Sequence, residues 1–148
     1  MITFGPVPSR RLGCSLGINN LPPSVCTYSC VYCQLGRTRV MRATRFTFVS
    51  PWEVLQAVQA RLAAARQAGG AVGYLTFVPD GEPTLDANLG RTIDLLRPLG
   101  IPIAVISSAS LIARKDVRED LMRADWVSLK VDAMEEKAWR RLDRPHGA

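Results

Sequence analysis

The chain alternates short apolar runs with amphipathic stretches, and this alternation restricts the fold more than any other feature of the sequence. Val72 to Val78, Ile101 to Ile106 and Trp126 to Val131 have strand length and are largely apolar, as strands buried on both faces require. An earlier segment, Ser15 to Asn20, reads as a further short strand. Helices are predicted between them. Ser50-Pro51-Trp52-Glu53 opens the first, with serine as N-cap, proline at the first helical position and an acid in the first turn. Val54, Leu55, Val58 and Leu62 then recur at helical spacing, and Gly69-Gly70 ends the run. Leu85, Leu89, Ile93 and Leu96 mark a second helix that stops near Pro98 and Gly100; Lys115 to Arg123 and Ala133 to Leu142 mark two more. The order β-α-β-α-β-α-β-α predicts an α/β fold of parallel strands joined by right-handed crossovers. At 148 residues the chain fits one domain with its own core. The first third, punctuated by Pro6, Pro8, Pro22 and Pro23, is expected to be mostly loop.

Each predicted strand runs into a polar loop. The first leads to a group of cysteines, the second to Asp80-Gly81-Glu82, the third to Ser107-Ser108, and the fourth to Lys130 and Asp132. Ligand sites of parallel α/β folds form at the carboxyl ends of the strands, so these loops are expected to line one site.

No long apolar run is present, which excludes a membrane-spanning helix, and Met1 to Leu12 lacks the apolar core of an export signal. A cytoplasmic location is expected, where thiols stay reduced. The net charge of +6 includes two arginine groups, Arg10-Arg11 and Arg37, Arg39, Arg42 and Arg45. They are read as solvated basic loops, with phosphate or RNA contact as the alternative.

Cys26-Thr-Tyr-Ser-Cys30-Val-Tyr-Cys33 has the spacing C-x₃-C-x₂-C. Three thiolates this close can hold three irons of a [4Fe–4S] cluster and leave the fourth iron open. A structural zinc needs four ligands, usually in two separated pairs, and a pair of disulfides needs an oxidising compartment. Cys14 has no paired neighbour and is read as a small buried apolar residue rather than a ligand.

The Cys26/Cys30/Cys33 triplet resembles the signature of the radical S-adenosylmethionine superfamily, and Asp80-Gly81-Glu82-Pro83-Thr84 resembles the Gly-Glu-type loop that follows its second strand. The surrounding sequence, Gly5-Pro6-Val7-Pro8-Ser9-Arg10-Arg11-Leu12-Gly13, Ser15-Leu16-Gly17-Ile18-Asn19 and Cys33-Gln34-Leu35-Gly36-Arg37-Thr38, is similar to Fe–S oxidoreductases related to wyosine-synthesis enzymes, which modify tRNA. The resemblance implies a partial (β/α) barrel, about four βα units of an expected six, with the domain spanning residues 1–148 and incomplete at its C-terminus. It implies two cofactors, a [4Fe–4S] cluster and S-adenosylmethionine. The reduced cluster would cleave S-adenosylmethionine to methionine and a 5′-deoxyadenosyl radical that acts on a substrate the sequence does not name, with RNA as the candidate. A one-electron donor such as flavodoxin or ferredoxin would be the partner.

The resemblance also nominates cofactor-binding residues, and each has a plainer reading. Tyr32 would lie near the adenine, or pack as an ordinary tyrosine. Gly81 and Glu82 would meet the methionyl amino group, where a carboxylate accepts charge-assisted hydrogen bonds; otherwise Glu82 caps the following helix. Ser107 and Ser108 would bond a ribose or carboxylate, although Ser108-Ala109 departs from the Thr-Asn-Gly of similar proteins. Lys130, expected inside a buried strand, would hold the methionyl carboxylate, or else pair with Asp132. His146, near the chain end, is given no role. The rival reading of the whole chain is a non-catalytic metal-binding or RNA-binding fragment.

Overall fold

The computed structural model describes residues 1–147, so the final residue of the predicted domain, Ala148, lies outside the described residues. Its centre is a five-stranded sheet of strand order β1-β2-β5-β6-β7, where β1 is Thr3–Ser9, β2 Gly13–Ile18, β5 Tyr74–Phe77, β6 Ile103–Ser107 and β7 Trp126–Leu129. Strands β2, β5, β6 and β7 are parallel, with Leu16 opposite Leu75, Phe77 opposite Val105, and Val105 opposite Val127. Helices α1 (Pro51–Gln67), α2 (Leu89–Leu96), α3 (Lys115–Leu121) and α4 (Glu136–Asp143) follow these strands in turn. This is the parallel α/β arrangement that the alternation predicts, and its four βα units among the described residues match the partial barrel that the resemblance implies.

The core forms where strand and helix apolar faces meet. Leu16, Ile18, Leu75, Phe77, Ile103 and Val105 from the strands pack with Val54, Leu55, Val58 and Leu62 of α1, Leu89, Ile93 and Leu96 of α2, and Val117 and Leu121 of α3. Each such side chain contributes about 1.5–3 kcal/mol by leaving water. Helix α1 starts where its caps predict: Ser50 accepts from the Trp52 N–H, and Glu53 accepts from the Ser50 N–H at 3.1 Å.

The structure corrects the sequence reading in several places. The proline-rich start is not mostly loop: Thr3–Ser9 forms β1, antiparallel to β2. Proline is tolerated there because an edge strand bonds on one side only. A second, two-stranded sheet joins β3 (Val25–Cys26) to β4 (Val40–Met41), so Cys26 ends a strand. Leu85 belongs to a 3₁₀ turn, Pro83–Leu85, and α2 begins only at Leu89. Cys14 is exposed, not buried.

Arg45 is not part of a solvated basic loop. Its side chain is 7% exposed, and its guanidinium donates to the carbonyls of Thr84 (2.8 Å) and Asp86 (2.7 Å). It also pairs with Asp116 (3.0 Å) and Asp120 of α3. It thereby ties the segment before α1 to the turn after β5. Burial requires such partners, because a lone buried charge costs several kcal/mol, on the order of the loss seen when one partner is removed.

Beside it, the carboxyl of Asp86 is pushed up from 3.8 to about 6, because burial opposes its charge more than the bonds from the Asn88 N–H and the Asn20 amide favour it. The folded chain therefore holds a proton here that the unfolded chain releases between about pH 4 and pH 6. The contribution to stability is full below that window and is lost as pH rises through it. Carbon-detected NMR of the Asp86 carboxyl should give a midpoint near 6, and a midpoint near the ordinary 3.8 would contradict the burial argument.

Candidate functional site

Parallel strands deliver their C-terminal loops to one end of the sheet, and a cavity of about 580 Å³ opens there. Cys26, at the end of β3, borders it together with Cys30 and Cys33 of the loop that follows; Gly81 and Glu82 follow β5, Ser107 and Ser108 lie at the end of β6, and Lys130 follows β7. Tyr32 borders it as well. All nine residues expected at a site thus share one cavity.

Glu82 is 1% exposed and organises the wall of this cavity. Its Oε1 accepts from the Thr84 N–H (3.1 Å), the Thr84 hydroxyl (2.6 Å) and the Ser107 hydroxyl (2.8 Å). Its Oε2 accepts from the N–H and hydroxyl of Ser108, each at 2.7 Å. The plain reading of Glu82 as a cap is therefore met: its carboxylate starts the Pro83–Leu85 turn. The same carboxylate also fastens the end of β6 to the end of β5. Gly81 sits against the cysteine loop, forming a parallel bridge with Val25 while the Glu82 N–H donates to the Val25 carbonyl at 3.2 Å.

Lys130 departs from expectation. Strand β7 ends at Leu129, and the Lys130 side chain is 39% exposed, so the buried-strand argument does not hold. Its ammonium pairs with Asp132 at 2.9 Å, lies 4.2 Å from the Tyr32 ring centroid and bonds the Tyr32 hydroxyl. Partial burial opposes its charge, yet the Asp132 bond and the neighbouring Cys30, Asp132 and Asp143 raise its affinity for the proton overall. Burial also raises the Tyr32 phenol, as do its bonds to Asp132, Cys30 and Asp143, so it stays protonated at neutral pH. Asp132 is lowered: burial works against it, but the bonds from Tyr32 and Lys130 outweigh that.

The cysteines are free and partly buried. Burial raises the Cys26 thiol and pushes Cys30 up to about 11, so both are neutral near pH 7 and must release protons to become ligands. Among the described residues no three His, Cys, Asp or Glu side chains converge as the ligands of one ion would. The donor set nevertheless fits a cluster: three soft sulfur donors border one cavity, and in a cluster each thiolate meets a different iron.

Asp143 was missed by the sequence reading. It ends α4, is 2% exposed, and its Oδ1 lies 2.9 Å from the Tyr32 hydroxyl and 3.4 Å from the Cys30 Sγ. Tyr28, whose hydroxyl accepts from Trp139 Nε1 at 3.3 Å, also borders the cavity. Neither has a local sequence signal, since their partners lie over a hundred positions away.

The arrangement is that of an α/β protein with a thiol-bearing ligand site at the carboxyl ends of parallel strands. The family profile described as the Radical SAM superfamily matches residues 21–148, and the chain belongs to that superfamily. It is 52% identical over 145 residues to the UPF0026 protein MJ1312 of Methanocaldococcus jannaschii, covering 98% of this chain and 44% of that protein. It is 35% identical over 144 residues to a UPF0026 protein of Synechocystis, covering 96% of this chain and 52% of the relative. The chain thus spans about half the length of these curated relatives. The fold is similar to that in the structure of TYW1 with a lysine-pyruvate adduct bound, with a TM-score of 0.64 at 17% identity over 90% of this chain and 47% of that one. Membership in the superfamily implies an iron–sulfur cluster and the use of S-adenosylmethionine. No helix among the described residues is long and apolar enough to cross a membrane.

Proposed function

We propose that this chain is the cofactor-binding part of a radical S-adenosylmethionine enzyme. The observation that carries the reading is the single cavity shared by Cys26, Cys30, Cys33, Tyr32, Gly81, Glu82, Ser107, Ser108 and Lys130. Cys26, Cys30 and Cys33 would hold a [4Fe–4S] cluster. When bound, that cluster supplies the electron for reductive cleavage of S-adenosylmethionine to a 5′-deoxyadenosyl radical. The protein's own part is placement and exclusion of water. Lys130 offers a cation, 39% exposed, that would exchange Asp132 for a ligand carboxylate. Ser108 offers a hydroxyl already aligned by Glu82, and Tyr32 offers a ring face at the rim. Glu82 holds this wall together, and a ligand amine would reach its carboxylate by displacing the Ser108 hydroxyl.

The substrate we propose is RNA, supported by Arg37 and Arg39, which are exposed next to the cavity-bordering stretch Gln34 to Gly36. A flavodoxin- or ferredoxin-like donor would supply electrons, in the cytoplasm. We further propose that the barrel continues beyond β7, whose outer edge has no partner strand among the described residues.

The test is anaerobic reconstitution with iron and sulfide. The native chain and Cys14→Ala should both acquire iron–sulfur absorption, whereas Cys26→Ala, Cys30→Ala and Cys33→Ala should each lose most of it. Reduced, loaded protein should then form 5′-deoxyadenosine from S-adenosylmethionine. Loss of the absorption in Cys14→Ala, or its retention in the three other variants, would overturn the ligand assignment.

A further inference from the structure

We infer that the segment from Leu142 to His146 is a latch for the cysteine loop, with Asp143 its positioning residue. A loop of closely spaced cysteines has backbone N–H groups that need partners, and a helix C-terminus has carbonyls that lack them. Here the two deficits cancel. The Ser29 N–H donates to the carbonyls of Asp143 (3.0 Å) and Arg144 (3.2 Å), and the Val31 N–H donates to that of Leu142 (2.8 Å). In return the His146 N–H donates to the Thr27 carbonyl at 2.9 Å, and Tyr28 forms an antiparallel bridge with Pro145. The bonded amides flank Cys30 on either side.

The side chains repeat the pattern. The buried Asp143 carboxylate meets the Tyr32 hydroxyl and the Cys30 thiol from inside the same turn. Trp139 of α4 packs edge-on against Tyr28, with ring centroids 6.0 Å apart at 75°. The backbone bends sharply to make this fit: Arg144 takes a left-handed conformation with φ of 46°, which is unfavourable for a residue with a Cβ. Such strain persists where surrounding contacts over-determine it. Asp143 lies outside the residues that line the cavity and meets Cys30 and Tyr32, which do line it, so its role is to hold the loop in the conformation that presents Cys30. The importance of that placement for a cluster rests on the proposed function; the latch itself does not.

The test is amide hydrogen exchange on the metal-free chain, with Leu75 in β5 as the internal reference. In the native chain Ser29 and Val31 should be protected together with the amides of α4. In Asp143→Ala they should exchange at least tenfold faster while Leu75 is unchanged, and Asp143→Asn, which keeps an oxygen acceptor and the side-chain shape, should restore most of the protection. After reconstitution, Asp143→Ala should retain less than half of the native iron content. Unprotected Ser29 and Val31 in the native chain would overturn the latch. So would an Asp143→Ala variant in which they are unchanged or speed up only in step with Leu75. If the native chain takes up no iron, the proposed function fails, while the exchange data still decide the latch.

Discussion

Replacing Glu82 with alanine should lower the unfolding free energy of the metal-free chain by about 3–5 kcal/mol, one of the largest effects open to a single substitution here. Five bonds end on this carboxylate, and three of the donors are hydroxyls that can turn elsewhere. The N–H groups of Thr84 and Ser108 cannot turn, and each stranded donor costs about 1–3 kcal/mol. The lost side-chain volume adds a cavity at a position that is 1% exposed. Glu82→Gln should cost roughly half as much, because its amide oxygen still serves the Thr84 side while its NH₂ faces the Ser108 N–H. Urea unfolding of the three proteins measures this directly. An alanine variant within about 1 kcal/mol of native would show that the carboxylate does not hold β5 to β6, by the same accounting of stranded donors.

Gly81→Ala should be at least as damaging, by about 3 kcal/mol or more, and should also impair iron uptake. An added Cβ would lie 2.0 Å from the Val25 carbonyl oxygen and 2.8 Å from Leu21 Cδ1. The first obstacle is backbone, which cannot swing aside, and it belongs to the residue before Cys26. Relief of the clash therefore moves a cysteine. The Ser24 N–H bond to the Asp80 carbonyl, 2.7 Å, holds the two segments together and prevents an easy retreat. Gly17 offers a control: its added Cβ would meet the Phe4 ring at 2.2 Å, but that ring is a partly exposed side chain on an edge strand and can rotate away. Thermal melting should rank Gly81→Ala well below Gly17→Ala. Equal melting temperatures would mean that the Val25–Gly81 approach yields more readily than the packing suggests.

Local pattern carried the order of elements, because helix and strand periods differ and each buried face must match its period. The serine-proline start of α1 and the glycine pair after it were readable for the same reason. The convergence of Cys26, Glu82, Ser107 and Lys130 followed from strand direction alone. What the residues did not disclose depends on distant partners. Lys130 looked buried from its apolar neighbours, yet β7 stops one residue earlier. Arg45 looked like one of a basic group, but its partners Asp116 and Asp120 lie on α3. Pro6 and Pro8 read as breakers, because nothing local says that Thr3–Ser9 occupies an edge. Asp143 resembled any acid at a helix end until Tyr32 and Cys30 stood beside it.

The bond between Cys30 and Asp143 spans 113 positions, and this separation sets an order of events. During synthesis Cys30 emerges 113 positions ahead of the Asp143 that fastens it. Closing so long a loop is entropically costly, so such contacts form late even in the released chain. The cysteine loop therefore settles only after α4 has formed and docked. Metal delivered to a nascent chain would find unfastened thiols, whereas metal delivered after α4 docks finds them already arranged.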